Sequence, residues 1–299
     1  MVAPGVYVVG AGRVGTAMAR LLAPGENPRL IGLWSLTEEE AQAATELVGV
    51  PCAHGPFPAD IARAEWVVIS VTDPAVASVA GALLDAGLLR TGSCRVVLHC
   101  GGFRPAAEAL KCLVGHLPVG TLHPLLSVAS PEQAARMLPQ AHMGLEGDPE
   151  AVEAGRSIAR ALGASTFNLP QGEGMGLYHA AAVMASNHAV ALWDGSRRLM
   201  EQAGIPGDQV MGILTPLLRS TVENVPTLGL PQALTGPVRR GDVETVARQA
   251  ALLRRRAPDL WRLYLAGTRA AVAASPDLTE ATRQALLDIA GGDPDPDHP

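Results

Sequence analysis

The stretch Val6-Tyr7-Val8-Val9-Gly10-Ala11-Gly12-Arg13-Val14-Gly15 decides how the rest of the chain reads. Its first four residues are β-branched or aromatic, the composition of a short buried strand. From Arg13 to Leu22 the apolar residues take helical spacing, so the segment predicts strand, tight turn and helix. The turn between them matches GxGxxG in the context that gives that pattern meaning. Gly10 permits the sharp turn, Gly12 lets the backbone approach a pyrophosphate, and Gly15 allows close packing of helix on strand, while the helix amides face the negative charge. Gly10, Ala11, Gly12, Arg13, Val14 and Gly15 are therefore the expected cofactor-binding turn, with a nicotinamide dinucleotide as ligand.

Outward from this turn the alternation continues. Leu30 to Trp34 and Trp66 to Val71 read as strands, Glu38 to Val48 and Pro74 to Leu84 as helices, and Val96 to Leu98, Val119 to Leu122 and His142 to Leu145 as later strands. This predicts an α/β fold, a doubly wound, mostly parallel Rossmann sheet. After Phe167 strand signals stop, and helical stretches around 174–203, 207–224, 241–255 and 257–274 take over. The expected domains are a nucleotide-binding domain at 1–167, an all-α substrate and dimerisation domain at 168–290, and a flexible tail at 291–299 rich in Asp and Pro. The 174–203 helix is apolar on nearly every face, which predicts burial against a second copy and so a homodimer.

Composition narrows the function classes. Hydrophobic residues make up 48% and charged residues 17%, enough apolar material for packed cores. A net charge of -6 disfavours nucleic acid. No apolar run reaches the roughly 18 residues of a membrane span, and residues 1–10 hold no charged leader region, so a cytoplasmic location is expected. Cys52, Cys94, Cys100 and Cys112 form no CxxC pair and read as reduced core thiols. No metal site is expected, since His179 and His188 are nine apart and no HExxH occurs. Lys111 is the single lysine, so lysine-based chemistry would have to use it.

In an open α/β sheet the ligand lies beyond the carboxyl ends of the strands. At the end of the second strand, Trp34-Ser35-Leu36-Thr37 holds neither a carboxylate nor an arginine. The hydroxyls of Ser35 and Thr37 are expected to donate to a 2′-phosphate, favouring NADP over NAD, or to cap the helix that starts at Glu38. Val71 and Thr72 are expected to contact the cofactor, with Asp73 and Pro74 starting a helix. His99 precedes the pair Gly101-Gly102, which lets the chain pass beside a nicotinamide ring; it reads as a cofactor contact or as a hydrogen-bonded structural histidine. His123 stands on the same rim and reads as a catalytic or substrate-binding group, or as a turn residue before Pro124.

At these residues the chain resembles the Rossmann-like proteins that carry the domain DUF2520. The resemblance rests on VYVVGAGRVGTAMARLL, VVLHCGG, TLHPLLS, YHAAAVMASNHAVAL, LLRSTVEN and ALTGPVRRGD, which together span nearly the whole chain. That family is similar to the 6-phosphogluconate dehydrogenase, β-hydroxyacid dehydrogenase, ketopantoate reductase and pyrroline-5-carboxylate reductase group. The resemblance implies an N-terminal Rossmann domain and a helical dimerisation domain of the 6-phosphogluconate dehydrogenase C-terminal type, without implying a substrate. Where relatives carry a catalytic lysine and two asparagines, this chain has His179, Val183 and Asn187, a departure from the lysine mechanism.

The resulting expectation is an NADP-dependent reductase or dehydrogenase of a small carbonyl or imine acid, with its site in the cleft between domains. His179 would donate the proton and Asn187, two helical turns on, would hold the substrate. Thr235 and Arg240 would bind the substrate, Arg240 pairing with a carboxylate. The rival expectation is a non-catalytic dinucleotide-binding sensor or scaffold.

Overall fold

A computed structural model describes residues 3–90, 92–170 and 172–291. Its elements in chain order begin β1 (Gly5–Val9), α1 (Arg13–Leu22), β2 (Arg29–Ser35), α2 (Glu38–Val48), β3 (Cys52–His54), β4 (Trp66–Ile69), α3 (Asp73–Asp85) and β5 (Val96–His99). There follow α4 (Ala106–Ala109), β6 (Val119–Leu125), α5 (Pro131–Met137), β7 (His142–Gly147), α6 (Pro149–Ala161), β8 (Ser165–Asn168) and α7 (Glu173–Val183). A π turn at Met184–His188 leads to α8 (Ala189–Gln202), α9 (Gly207–Leu228), α10 (Leu230–Ala233), α11 (Gly236–Arg239), α12 (Val243–Arg256), α13 (Pro258–Ala273) and α14 (Glu280–Gly291).

The eight strands form one sheet in the order β3-β2-β1-β4-β5-β6-β7-β8. Every neighbouring pair is parallel except β6 and β7. Chain order reverses on either side of β1, which pairs with β2 on one edge and β4 on the other, the switch point of a doubly wound fold. Strand alternation sends Val6 and Val8 into a core with Met18, Leu22, Ala134 and Ile158 from α1, α5 and α6. Tyr7 and Val9 point the other way, toward Val76 and Leu83 of α3 and Ala106 of α4. Helices thus cover both faces, as near-continuous apolar strands require.

The short strands β3 and β8, three and four residues long, extend the sheet beyond what periodicity predicts, and α14 is also additional. Packing divides the chain into a first unit, Met1–Ser186, and a second, Asn187–Pro299. Strands end at Asn168, near the expected change at 167, but α7 packs with the sheet unit because Tyr178 reaches β6, as described below. Gly291 ends α14, and residues 292–299 of the expected tail lie outside the described residues. No helix among the described residues is long and apolar enough to cross a membrane. Cys52 is buried, whereas Cys112 is exposed and so departs from the expected core thiols.

In the second unit, α12, α13 and α14 bury Val246, Val272 and Leu286 together, and Asp242 caps α12 by accepting from the Thr245 amide at 3.0 Å.

Candidate active site

The opening turn has the geometry its glycines predict. Gly10 takes φ +110°, and its amide donates to the Trp34 carbonyl at 2.8 Å, which seats the turn against the end of β2. A Cβ on Gly15 would lie 1.9 Å from the Gly10 carbonyl oxygen, so the helix can start here only with glycine. Gly12 is the opposite case, with no atom within 4 Å of where its Cβ would stand. It precedes α1 and offers no side chain to cap it, so first-turn amides face open space at the positive end of the helix dipole. This cradle fits a diphosphate. Arg13 is exposed and donates to the Val128 carbonyl at 3.1 Å.

The hydroxyls expected to take a 2′-phosphate are engaged otherwise. Ser35 is buried and donates to Glu40 Oε2 at 2.6 Å, and Thr37 Oγ1 accepts the Glu40 amide at 3.3 Å as the cap of α2. The capping alternative therefore describes Thr37, and Ser35 is tied to a carboxylate that proximity in sequence concealed.

Across the carboxyl edge of the sheet, close contacts run from strand to strand. Gly10 packs against Ser70 and Val71; a Cβ on Gly101 would meet Asp73 Oδ1 at 2.5 Å, and one on Gly102 the His123 ring at 2.6 Å. Thr72 is exposed and precedes α3, whose second residue is Pro74. The glycine pair after β5 is thus required so that β6 can bring an imidazole against it.

His99 is buried in a directional chain. The Gly101 amide donates to Nδ1 at 3.2 Å, so the ring proton sits on Nε2 and is donated to Thr121 Oγ1 at 2.9 Å. Thr121 donates to Glu146 Oε1 at 2.6 Å, and the Ala106 amide donates to the same oxygen at 2.6 Å. Burial, then the charges of His123 and Arg104, push His99 down to about 4, so it is neutral at physiological pH. Of the two readings open in the sequence, the structural histidine matches these contacts.

His123 Nδ1 lies 2.7 Å from the Tyr178 hydroxyl, with the rings edge to face. Burial pushes His123 down to about 4, His179 lowering it further and Asp73 opposing, and burial pushes Tyr178 up to about 12. His179 flanks the pair, its ring 6.5 Å from His123 and 5.8 Å from Phe103. Arg104 donates to the Asp73 carbonyl, which puts a guanidinium on this rim. Two of the candidate residues, His123 and His179, are therefore brought together. Tyr178, Arg104 and Glu146 were missed; only the adjacency of Tyr178 to His179 and of Arg104 to the glycine pair hinted at them.

Asn187 lies in the π turn Met184–His188, which interrupts the regular α-helical spacing assumed in expecting it two turns beyond His179. It is exposed and opens the second unit. Thr235 and Arg240 also belong to that unit and are exposed, flanking α11 at its start and end.

Residues 141–271 match the family model described as domain of unknown function, DUF2520. Among curated proteins, none matches the sequence. Among solved structures, the chain is similar to Bacteroides fragilis BF3122, provisionally named an NADP oxidoreductase, at 22% identity, 90% of this chain, 98% of that one and a TM-score of 0.68. It is similar to TM1727 of Thermotoga maritima at 24% identity, with 96% and 98% of the two chains covered and a TM-score of 0.66. A pyrroline-5-carboxylate reductase from Coxiella burnetii shares 15% identity over 97% of this chain and 98% of that one, with a TM-score of 0.57. The sheet order is that of a Rossmann-type fold, and residues 141–271, from β7 into α13, are similar to the DUF2520 family model.

Proposed function

We propose that the chain is a nicotinamide-dinucleotide-dependent oxidoreductase acting on a small carbonyl or imine acid. The observation that carries the proposal is the run of close contacts along one sheet edge, from the open cradle at Gly12 to the His123–Tyr178 pair. The fold of NADP- and pyrroline-5-carboxylate-linked relatives is consistent with it. The amides at the start of α1 would hold the diphosphate, and the His123 imidazole seated against Gly102 would line the nicotinamide end. When bound, the nucleotide supplies or accepts a hydride at its nicotinamide ring.

The chain supplies the proton. In the tautomer we propose, neutral His123 carries its proton on Nδ1, 2.7 Å from the Tyr178 oxygen, so that the Tyr178 hydroxyl points its own proton to a substrate oxygen or nitrogen as negative charge develops there. A phenol held near 12 stays protonated until such a base forms. In the opposite reaction direction the same oxygen takes the proton back. His179 and Phe103 wall the site, and Arg104 is the group proposed to hold a substrate carboxylate.

The test is dihydronicotinamide consumption against a panel of keto acids and cyclic imines. Wild type should turn over at least one class, and Tyr178→Phe should lose about a hundredfold in turnover with nucleotide affinity unchanged. Full activity in Tyr178→Phe would remove the proton-delivery role. Tight nucleotide binding with no turnover on any class would favour the sensor reading.

We also propose a homodimer formed through the second unit. The 22-residue α9 buries only Val210 and Leu214 and leaves Met211, Ile213, Leu217, Val222 and Leu228 exposed, apolar side chains that a partner copy would cover.

A further inference from the structure

We infer that Glu40, held at the end of β2 by Ser35, selects NAD(H) over NADP(H). The inference rests on the nucleotide-binding reading and deepens it. The Gly10 amide bonded to the Trp34 carbonyl fixes the end of β2 against the glycine turn. A dinucleotide with its diphosphate on that turn brings its adenosine ribose to the end of β2. NAD-type sites place there a carboxylate that accepts from the ribose hydroxyls, usually one belonging to the strand itself.

Here the strand ends in Ser35, and the carboxylate arrives from the first turn of α2 instead. Ser35 donates to Glu40 Oε2 at 2.6 Å, while Oε1 has no hydrogen-bond partner among the described residues and is left for a ribose hydroxyl. The Thr37 cap fixes the Glu40 backbone, so both ends of the residue are held. Leu36, 72% exposed next to this pair, offers apolar surface to the adenine ring.

A 2′-phosphate would meet the reverse of what it needs. It carries nearly two negative charges. Glu38, Glu39 and Glu40 all stand in the first turn of α2, and among the described residues none of the three is in an ion pair. No arginine or lysine occurs between 35 and 40, and the guanidiniums of Arg13 and Arg20 donate to the carbonyls of Val128 and Leu47. The α2 amides attract anions. Yet the amide of Glu40 is already taken by Thr37, and the helix start is itself faced by carboxylates.

The experiment is equilibrium titration of NADH and NADPH, followed by dihydronicotinamide fluorescence, into wild type, Glu40→Gln, Ser35→Ala and Glu46→Gln as control. Wild type should bind NADH at least about tenfold more tightly than NADPH, a difference within reach of one charge contact. Glu40→Gln and Ser35→Ala should each bring the two affinities to within about threefold, and Glu46→Gln, an exposed carboxylate nearly two turns further along α2, should keep the wild-type ratio. NADPH binding to wild type as tightly as NADH overturns the inference, as does an unchanged ratio in Glu40→Gln, while both leave nucleotide binding itself standing. Failure of wild type to bind either nucleotide overturns the nucleotide reading and this inference together.

Discussion

The two units treat their apolar residues differently. In the first, Val6, Val8, Leu98 and Leu122 are fully buried by helices on the sheet faces, so the unit closes its own core. In the second, three helices make a small core around Val246, while α9 keeps Ile213, Leu217 and Val222 about half exposed, at 49%, 58% and 59%. A sheet unit of this kind answers to itself, whereas several exposed apolar side chains on one helix answer to another molecule. The contrast separates nucleotide binding, which the first unit should carry, from assembly, which the second should.

The largest effect that can break this contrast is on mass. Wild type should scatter light as a particle of twice the 31.0 kDa chain. Leu217→Glu combined with Val222→Glu should reduce it to a single chain while leaving nucleotide affinity within about twofold, since the glycine turn belongs to the first unit and α9 to the second. A wild-type mass of 31.0 kDa would dissolve the contrast.

A smaller effect sharpens it through pH. His99 and His123 are held down to about 4 in the folded chain, against about 6.5 for a free imidazole. A depressed histidine means that the unfolded chain binds more protons between those values, so stability is full above about pH 6.5 and falls as pH drops toward 4. Two carboxylates of the second unit behave otherwise: Asp242 and Asp259 are lowered, first by their bonds to Thr245 and Arg198, and their contribution is lost only at more acid pH. Hydrogen exchange at pH 7 and 5 should therefore show the first unit loosening first. Imidazole resonances of His99 and His123 titrating near 6.5 would contradict the burial that sets the order.

Much of the first unit was legible because its signals are local. The glycine turn, the apolar runs of β1, β4 and β5, and the Asp73-Pro74 helix start each lie within about ten residues. The site was only half legible because its bonds span the chain: His123 to Tyr178 is 55 residues, Thr121 to Glu146 is 25 and His99 to Thr121 is 22. No periodicity records such pairings. Glu40 was missed for a different reason, since the carboxylate sought on the strand stands five residues later and folds back onto Ser35. The π turn at Met184–His188 is equally silent in the alanine-rich run, and it undid the face arithmetic for Asn187.

The central claim is that the Gly12 cradle grips a diphosphate, and calorimetry on wild type and Gly12→Val tests it directly. Gly12 has extended backbone and no neighbour within 4 Å of its absent Cβ, so valine should leave the melting temperature nearly unchanged while filling the space the ligand needs. The account predicts nicotinamide dinucleotide binding by wild type and a loss of about a hundredfold or more in the variant. Equal affinity in the two proteins, or none in wild type, would contradict it.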